Sequence, residues 1–267
     1  MLKKTIMLLL FFCLLTTNTK VEPKVSVFKI STRELQYGPE PWQTCTNVFP
    51  HYTDNVDSPI MIFIHGGGWV SGDKSEILSK VKDFVMKTGF PALNINYKLS
   101  DINQQILDIE TAIAFSKLQT CSNGTYFLYG YSAGGHLAAL TAALTQETGL
   151  VGVVGVGAPL CLEDWVDYCD AFDEQPPPPE VVTNNLIPTM GEDWLDYSLT
   201  NLALGPYYTP TLLLHGTEDF IVPTAVNDCF VDEIAPDARL KELPGNHLLL
   251  DKEDTEFSEF FKYFLAG

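Results

Sequence analysis

Positive charge is scarce in this chain. Its 267 residues hold 16 Lys and Arg against 34 Asp and Glu, a formal net charge of −18 at pH 7. So acidic a surface argues against nucleic acid and anionic membranes as partners. Long hydrophobic runs are missing too. The apolar stretch Ile6 to Leu15 is too short to span a bilayer comfortably. With Lys3 and Lys4 before it and Thr16, Thr17, Asn18 and Thr19 after it, it reads as a cleaved signal peptide over residues 1–20. That predicts a protein of the secretory lumen or the exterior, with no stable membrane insertion after cleavage. Cys13 follows two phenylalanines, a poor fit to a lipoprotein cleavage box. Cysteine is sparse beyond the leader: Cys45, Cys121, Cys161, Cys169 and Cys229. No pair has zinc spacing with histidines, so no metal site is expected. In an oxidising compartment some of the five should pair, and the odd count leaves at least one over. Cys161 and Cys169 are close enough in sequence to staple a loop. Internal repeats are lacking, and the glycine run after His65 has no lysine to make it a phosphate loop.

What is present suits one globular α/β domain over residues 21–267. Lys24 to Ile30 alternates like an edge strand, and Cys45 to Phe49 reads as a second, weak strand. Apolar runs at Ile60–Ile64, Pro91–Ile95 and Tyr126–Tyr129 are expected as buried strands, and Leu150–Val156 (weakened by glycines), Thr211–Leu214 and Leu240–Leu243 as further strands. Between them, Ser75–Met86, Ile102–Leu118, the stretch from His136 onward and Ala225–Ile234 have helical character. Glu253–Phe264 would close the chain with a phenylalanine-faced helix. The alternation predicts a mostly parallel central sheet flanked by helices, with an antiparallel start. Residues 159–205 break the rhythm. They contain Gln175-Pro176-Pro177-Pro178-Pro179, which favours stiff extended chain, and so long an insertion suits a lid or a surface loop. Asn123-Gly124-Thr125 is a glycosylation sequon in a turn-like stretch.

The chemistry gathers at Gly130-Tyr131-Ser132-Ala133-Gly134. A strand before and a helix after make this G-x-S-x-G a sharp turn that pushes the serine out at its apex. A nucleophilic serine needs a base, an acid to orient that base, and donors for the oxyanion. His65 and His136 flank glycine turns and suit packing roles, whereas His247 sits in a loop after the last strand and is the expected base. Asp219, just past the strand Thr211–Leu214, is preferred as the acid; Glu218 is the alternative, and helix capping the competing role for Asp219. Gly66 and Gly67, with the Ala133 N–H, fit an oxyanion hole. Trp69 and Tyr131 are expected to line the substrate pocket or pack under it.

HGGGWVSGDK, GYSAGGHLA, LLLHGTEDFIVP and the late GNH together resemble the esterase/lipase branch of the α/β-hydrolases with an HGGG oxyanion loop. That branch includes carboxylesterases, isoprenylcysteine methylesterases and kynurenine formamidases. The likeness covers about residues 55–267 and keeps the family's motif order. It implies an α/β-hydrolase fold with a Pro-rich lid-like insertion. It also implies a cofactor-free serine esterase acting on small-molecule esters, with Ser132 as nucleophile, His247 as base and Asp219 as its orienter. Tyr131 stands where hormone-sensitive-lipase-like members often carry an acid, which disfavours that subfamily. An amidase or formamidase fits the same residues, and a catalytically inactive binding protein is the reading from another class.

Overall fold

The computed structural model describes residues 29–51, 57–145, 148–171, 181–202, 207–235 and 237–247. Within them eight strands form one sheet in the order β1-β2-β4-β3-β5-β6-β7-β8. The strands are β1 (Ile30–Gln36), β2 (Thr44–Pro50), β3 (Ser58–Ile64), β4 (Ala92–Ile95), β5 (Ser122–Tyr131), β6 (Leu150–Val156), β7 (Thr211–Gly216) and β8 (Arg239–Leu243). The β1–β2 and β2–β4 pairs are antiparallel, and every pair from β4 to β8 is parallel. The expected sheet is therefore the one formed.

Two layers of core follow from the strand alternation. One face carries Ile60, Ile62, Ile64, Leu128, Val153 and Leu213 against α2 (Ile102–Lys117) and α3 (Ala133–Leu144). The other carries Met61, Phe63, Phe127, Tyr129 and Val154 against Val81, Phe84 and Val85 of α1 (Leu78–Thr88). Local signals set the helix ends. The Asp101 carboxylate accepts the Gln104 N–H at 3.1 Å to start α2, and Gly89, at φ 76°, ends α1 with its N–H on the Val85 carbonyl.

The edge strand departs from the sequence reading. It runs from Ile30 to Gln36, paired with β2 from Ile30↔Pro50 to Gln36↔Thr44, whereas the expected Lys24–Ile30 lies almost wholly outside the described residues. An edge strand exposes most side chains, so polarity marks it poorly. The expected helix Ala225–Ile234 is helical throughout but mixed in winding: a 3₁₀ turn, Thr224–Asn227, runs through Asp228 and Cys229 into a π turn, Phe230–Ile234. The tight 3₁₀ winding ends at Asn227, whose buried side chain bonds the Ala158 carbonyl and the Leu160 N–H. The leader, the Pro-rich run Gln175–Pro179 and the closing helix Glu253–Phe264 lie outside the described residues.

Cysteine pairing is also corrected. Cys161 bonds Cys229, and Cys45, Cys121 and Cys169 are free. Cys161 and Cys169 lie on one helical stretch, at the start and within α4 (Leu162–Ala171). Eight residues of helical rise separate them by about 12 Å, beyond disulfide reach. The actual bond joins the root of the insertion to the chain just past β7. Closing a loop of 68 residues stabilises the fold by about 4 kcal/mol in the chain-entropy account.

Candidate active site

Five neighbouring strands, β3, β5, β6, β7 and β8, end on the same side of the sheet, and the predicted site residues occupy the segments that follow them. This is where parallel α/β sheets place their ligands. Ser132 lies between β5 and α3 with φ 51° and ψ −124°. A non-glycine residue avoids that conformation unless its surroundings impose it. Here they do. The Ser132 N–H is held by the Val156 carbonyl at 2.7 Å, while the Ser132 carbonyl receives Gly135 and His136 N–H at 2.8 and 3.1 Å. The hydroxyl makes no capping bond to the helix it precedes, and the residue is partly exposed.

The turn is closed by contact on both sides. A Cβ on Gly130 would strike the Gly134 backbone, and one on Gly134 would strike the Ile64 and His65 carbonyls. At Gly66 a Cβ would stand 3.3 Å from the Ser132 Cβ and 3.0 Å from the Tyr131 carbonyl oxygen. The glycine loop after β3 therefore rests directly on the serine turn.

That loop is anchored through its carbonyls. The His65 carbonyl accepts from the Tyr97 hydroxyl at 2.8 Å, and the Gly66 carbonyl accepts from His65 Nδ1 at 2.7 Å. In a trans peptide the C=O and the following N–H point opposite ways. The Gly66 and Gly67 N–H groups are thus turned away from these anchors. Neither has an acceptor among the described residues, and the Ala133 N–H at the start of α3 has none either. Gly67, at φ 116°, has no room for a side chain because the Ser71 backbone lies against it.

Asp219 and His247 meet. His247 Nδ1 lies 2.8 Å from Asp219 Oδ2, with the carboxylate side chain fully buried and the imidazole 12% exposed. A carboxylate only accepts, so Nδ1 carries the proton and a neutral ring presents Nε2 as a base. The other oxygen, Oδ1, accepts the Ile221 and Val222 N–H groups at 3.0 and 2.9 Å. Asp219 thus also performs the turn-binding role weighed against its role as an orienter, with its second oxygen. Glu218 is exposed and offers only its N–H, to the Gly245 carbonyl at 2.8 Å. The imidazole rests on the backbone after β6, since a Cβ on Gly157 would stand 2.9 Å from His247 Nδ1. Val156, which holds the Ser132 N–H, is the residue before. Three segments, after β5, β7 and β8, are thereby brought together.

Trp69 and Tyr131 pack beneath the site and do not line it: Trp69 is 0% and Tyr131 5% exposed. Trp69 takes φ 64°, and this sends its ring inward, 5.8 Å from Trp165 and 5.3 Å from His136 by centroid. Tyr131 sits edge-on to Tyr129 at 5.1 Å. Two residues without an expected site role also enter. Asn185, in the π turn Val182–Leu186 of the insertion, donates to the Gly68 carbonyl at 3.0 Å. His136 bonds Trp69 and Tyr197. A histidine inside the Ala- and Leu-rich α3 was a visible signal for the second; nothing in the sequence marks Asn185.

His65, His136 and His215 are buried and held neutral, their pKa values lowered by desolvation, to about 4 for His136. Unfolding releases them to the ordinary value of about 6.5. Below that pH the unfolded chain binds protons that the folded one refuses, so their contribution, complete at neutral pH, is lost as pH falls toward 4. Thermal melts should show Tm falling from pH 7 to pH 5, with a shallower fall in His136→Asn than in wild type. A Tm independent of pH over that interval contradicts this.

Among the described residues the one His/Cys/Asp/Glu group tight enough for a metal ion is Cys161, Asp164 and Cys229, and both of its sulfurs are in the disulfide. No helix among them is long and apolar enough to cross a membrane.

In sequence and in fold the chain is similar to known esterases. Residues 48–166 match the family model BD-FAE. The chain is 26% identical over 242 residues to Esterase LipC of Mycobacterium tuberculosis, covering 81% of this chain and 59% of that protein's length. Of solved structures, Esterase B of Lactobacillus rhamnosis superposes with a TM-score of 0.74 at 20% identity, over 91% of this chain and 86% of that one. A truncated carbohydrate esterase from gut microbiota does so with a TM-score of 0.69 at 17% identity, over 91% and 99%. At such identities the structural likeness is one of fold. Fold, family match and sequence relative agree, and together they support an α/β-hydrolase of the esterase/lipase kind.

Proposed function

We propose that this protein hydrolyses carboxylic esters of small molecules through an acyl-enzyme on Ser132. The observation that carries the reading is the His247–Asp219 pair at 2.8 Å, resting on the backbone next to the residue that holds the Ser132 N–H. Ser132 Oγ attacks the ester carbonyl carbon while its proton passes to His247 Nε2. Asp219 keeps the ring in the required tautomer and stabilises the imidazolium. Negative charge on the carbonyl oxygen is received by the N–H groups of Gly66, Gly67 and Ala133, which have no competing acceptor among the described residues. The alcohol leaves with the proton from His247, and water, activated by the same imidazole, releases the acid.

Secretion fits this reading. The Cys161–Cys229 disulfide needs an oxidising compartment to persist, which the leader-like residues 1–20 would supply. The Asn123 side chain is exposed and its turn is closed by Thr125, a setting open to a glycan. The described parts of the insertion, α4 and the π turn, pack against the loop after β3 and would serve as a partial lid.

The test is hydrolysis of p-nitrophenyl acetate, butyrate and octanoate, with a formyl anilide in parallel. The esters should be turned over and the anilide much less so. Faster cleavage of the anilide would replace the esterase reading by an amidase one, and inactivity on all four by folded protein would leave a binding protein.

A further inference from the structure

Among the described α-helices of ten residues or more α3 is the most apolar, yet its fourth residue is a histidine with no exposed surface. A buried polar group is costly unless bonded, and both His136 nitrogens are. Trp69 Nε1 lies 3.3 Å from His136 Nδ1, and an indole N–H only donates, so Nδ1 is the acceptor. His136 Nε2 therefore carries the proton and donates to the Tyr197 carbonyl at 2.9 Å. The tautomer is opposite to that of His247.

The partners give this bond its meaning. Trp69 follows Gly66, Gly67 and Gly68 directly and holds a left-handed backbone, φ 64°. Its carbonyl is fixed by the Ser100 N–H at 2.9 Å and by Gln105 Nε2 at 2.8 Å. Tyr197 belongs to the insertion, in the 3₁₀ turn Trp194–Tyr197. His136 itself stands four residues past Ser132, with its N–H on the Ser132 carbonyl at 3.1 Å. One residue thus touches the serine turn through its backbone N–H, and the end of the glycine loop and the insertion through its ring.

We infer that His136 is a positioning residue that sets the glycine loop against the serine turn by gripping Trp69 on one side and the insertion on the other. The inference rests on the esterase reading. Packing alone would be met by an apolar side chain; the histidine adds a directed bond that locks the Trp69 ring, and through it the Gly66 and Gly67 N–H groups. Misplacing oxyanion donors slows chemistry more than it weakens substrate binding.

Two substitutions break the Trp69 bond in different ways. Trp69→Phe removes the donor and keeps a ring. His136→Gln carries its amide near the Nε2 position and loses the acceptor at Nδ1, while His136→Asn keeps an acceptor near Nδ1 and gives up the bond to Tyr197. On p-nitrophenyl butyrate, at a temperature where all the proteins are folded, Trp69→Phe and His136→Gln should lower kcat about tenfold or more, with KM changed less than about threefold. Reaction of Ser132 with a fluorophosphonate, which also builds charge on an oxygen, should slow in parallel. His136→Asn should lose less than His136→Gln. A purely structural role lowers Tm and leaves kcat and the phosphonylation rate within twofold of wild type, and that result overturns the inference while the esterase reading stands. Wild-type protein that neither turns over the ester nor takes up the phosphonate removes both together.

Discussion

Asp219→Asn should lower kcat on an aryl ester about 10⁴-fold while the protein remains folded. The asparagine retains an oxygen for the Ile221 and Val222 N–H groups, at present 3.0 and 2.9 Å from Oδ1, so the turn after β7 survives. What it cannot retain is a second acceptor. Its amide would face His247 Nδ1, now 2.8 Å from Oδ2, and two donors in that position repel. The imidazole then either swings away or adopts the tautomer with the proton on Nε2, the atom needed as a base. Steady-state kinetics beside a circular dichroism melt checks this. A loss below about tenfold in a folded variant would show that Asp219 does not orient the base, and Glu218, exposed on the same loop, would be the next residue to replace.

The second large effect concerns the fold. Gly134→Ala should destabilise the protein by about 3 kcal/mol or more, or prevent its soluble expression. The added methyl would meet the Ile64 and His65 carbonyl oxygens, which are backbone at the end of a central strand and cannot rotate away. Relief requires α3 to move off β3, and Ser132, whose carbonyl anchors the first turn of α3, moves with it. Activity should therefore fall even in protein that still folds. Denaturant melts of the variant beside wild type measure the effect, and a variant equal to wild type in stability and turnover would mean that the turn is far looser than its contacts imply.

The parts of the architecture that the sequence made legible share a physical character. Central strands such as Ile60–Ile64 and Pro91–Ile95 are buried and read as short apolar runs, and they formed as expected, the second as Ala92–Ile95. The elbow was legible because only glycine survives at Gly130 and Gly134. Features set by long-range contact were not legible. The edge strand β1 depends on β2 for its limits. The helix expected over Ala225–Ile234 formed, but its change of winding near Asn227, which reaches the Ala158 carbonyl 69 residues away, was not readable from its own residues. The partner of Cys161 depends on where β7 delivers Cys229, which spacing cannot reveal. Trp69 illustrates the same limit at the site, since its inward turn follows from a backbone conformation that no residue pattern encodes. His247 and Asp219 were identified from strand ends and motif order; that they are within bonding distance is a property of the β7–β8 register and of the Gly245 carbonyl held by the Glu218 N–H.

The central claim is that Ser132 is the acyl-accepting nucleophile. Mass spectrometry of the intact protein after exposure to a fluorophosphonate, followed by peptide mapping, tests it most directly. The account predicts a single adduct per chain on Ser132, formed in step with the loss of p-nitrophenyl butyrate hydrolysis, and neither adduct nor hydrolysis in Ser132→Ala. Turnover that persists in Ser132→Ala, or an adduct on another residue, would contradict it.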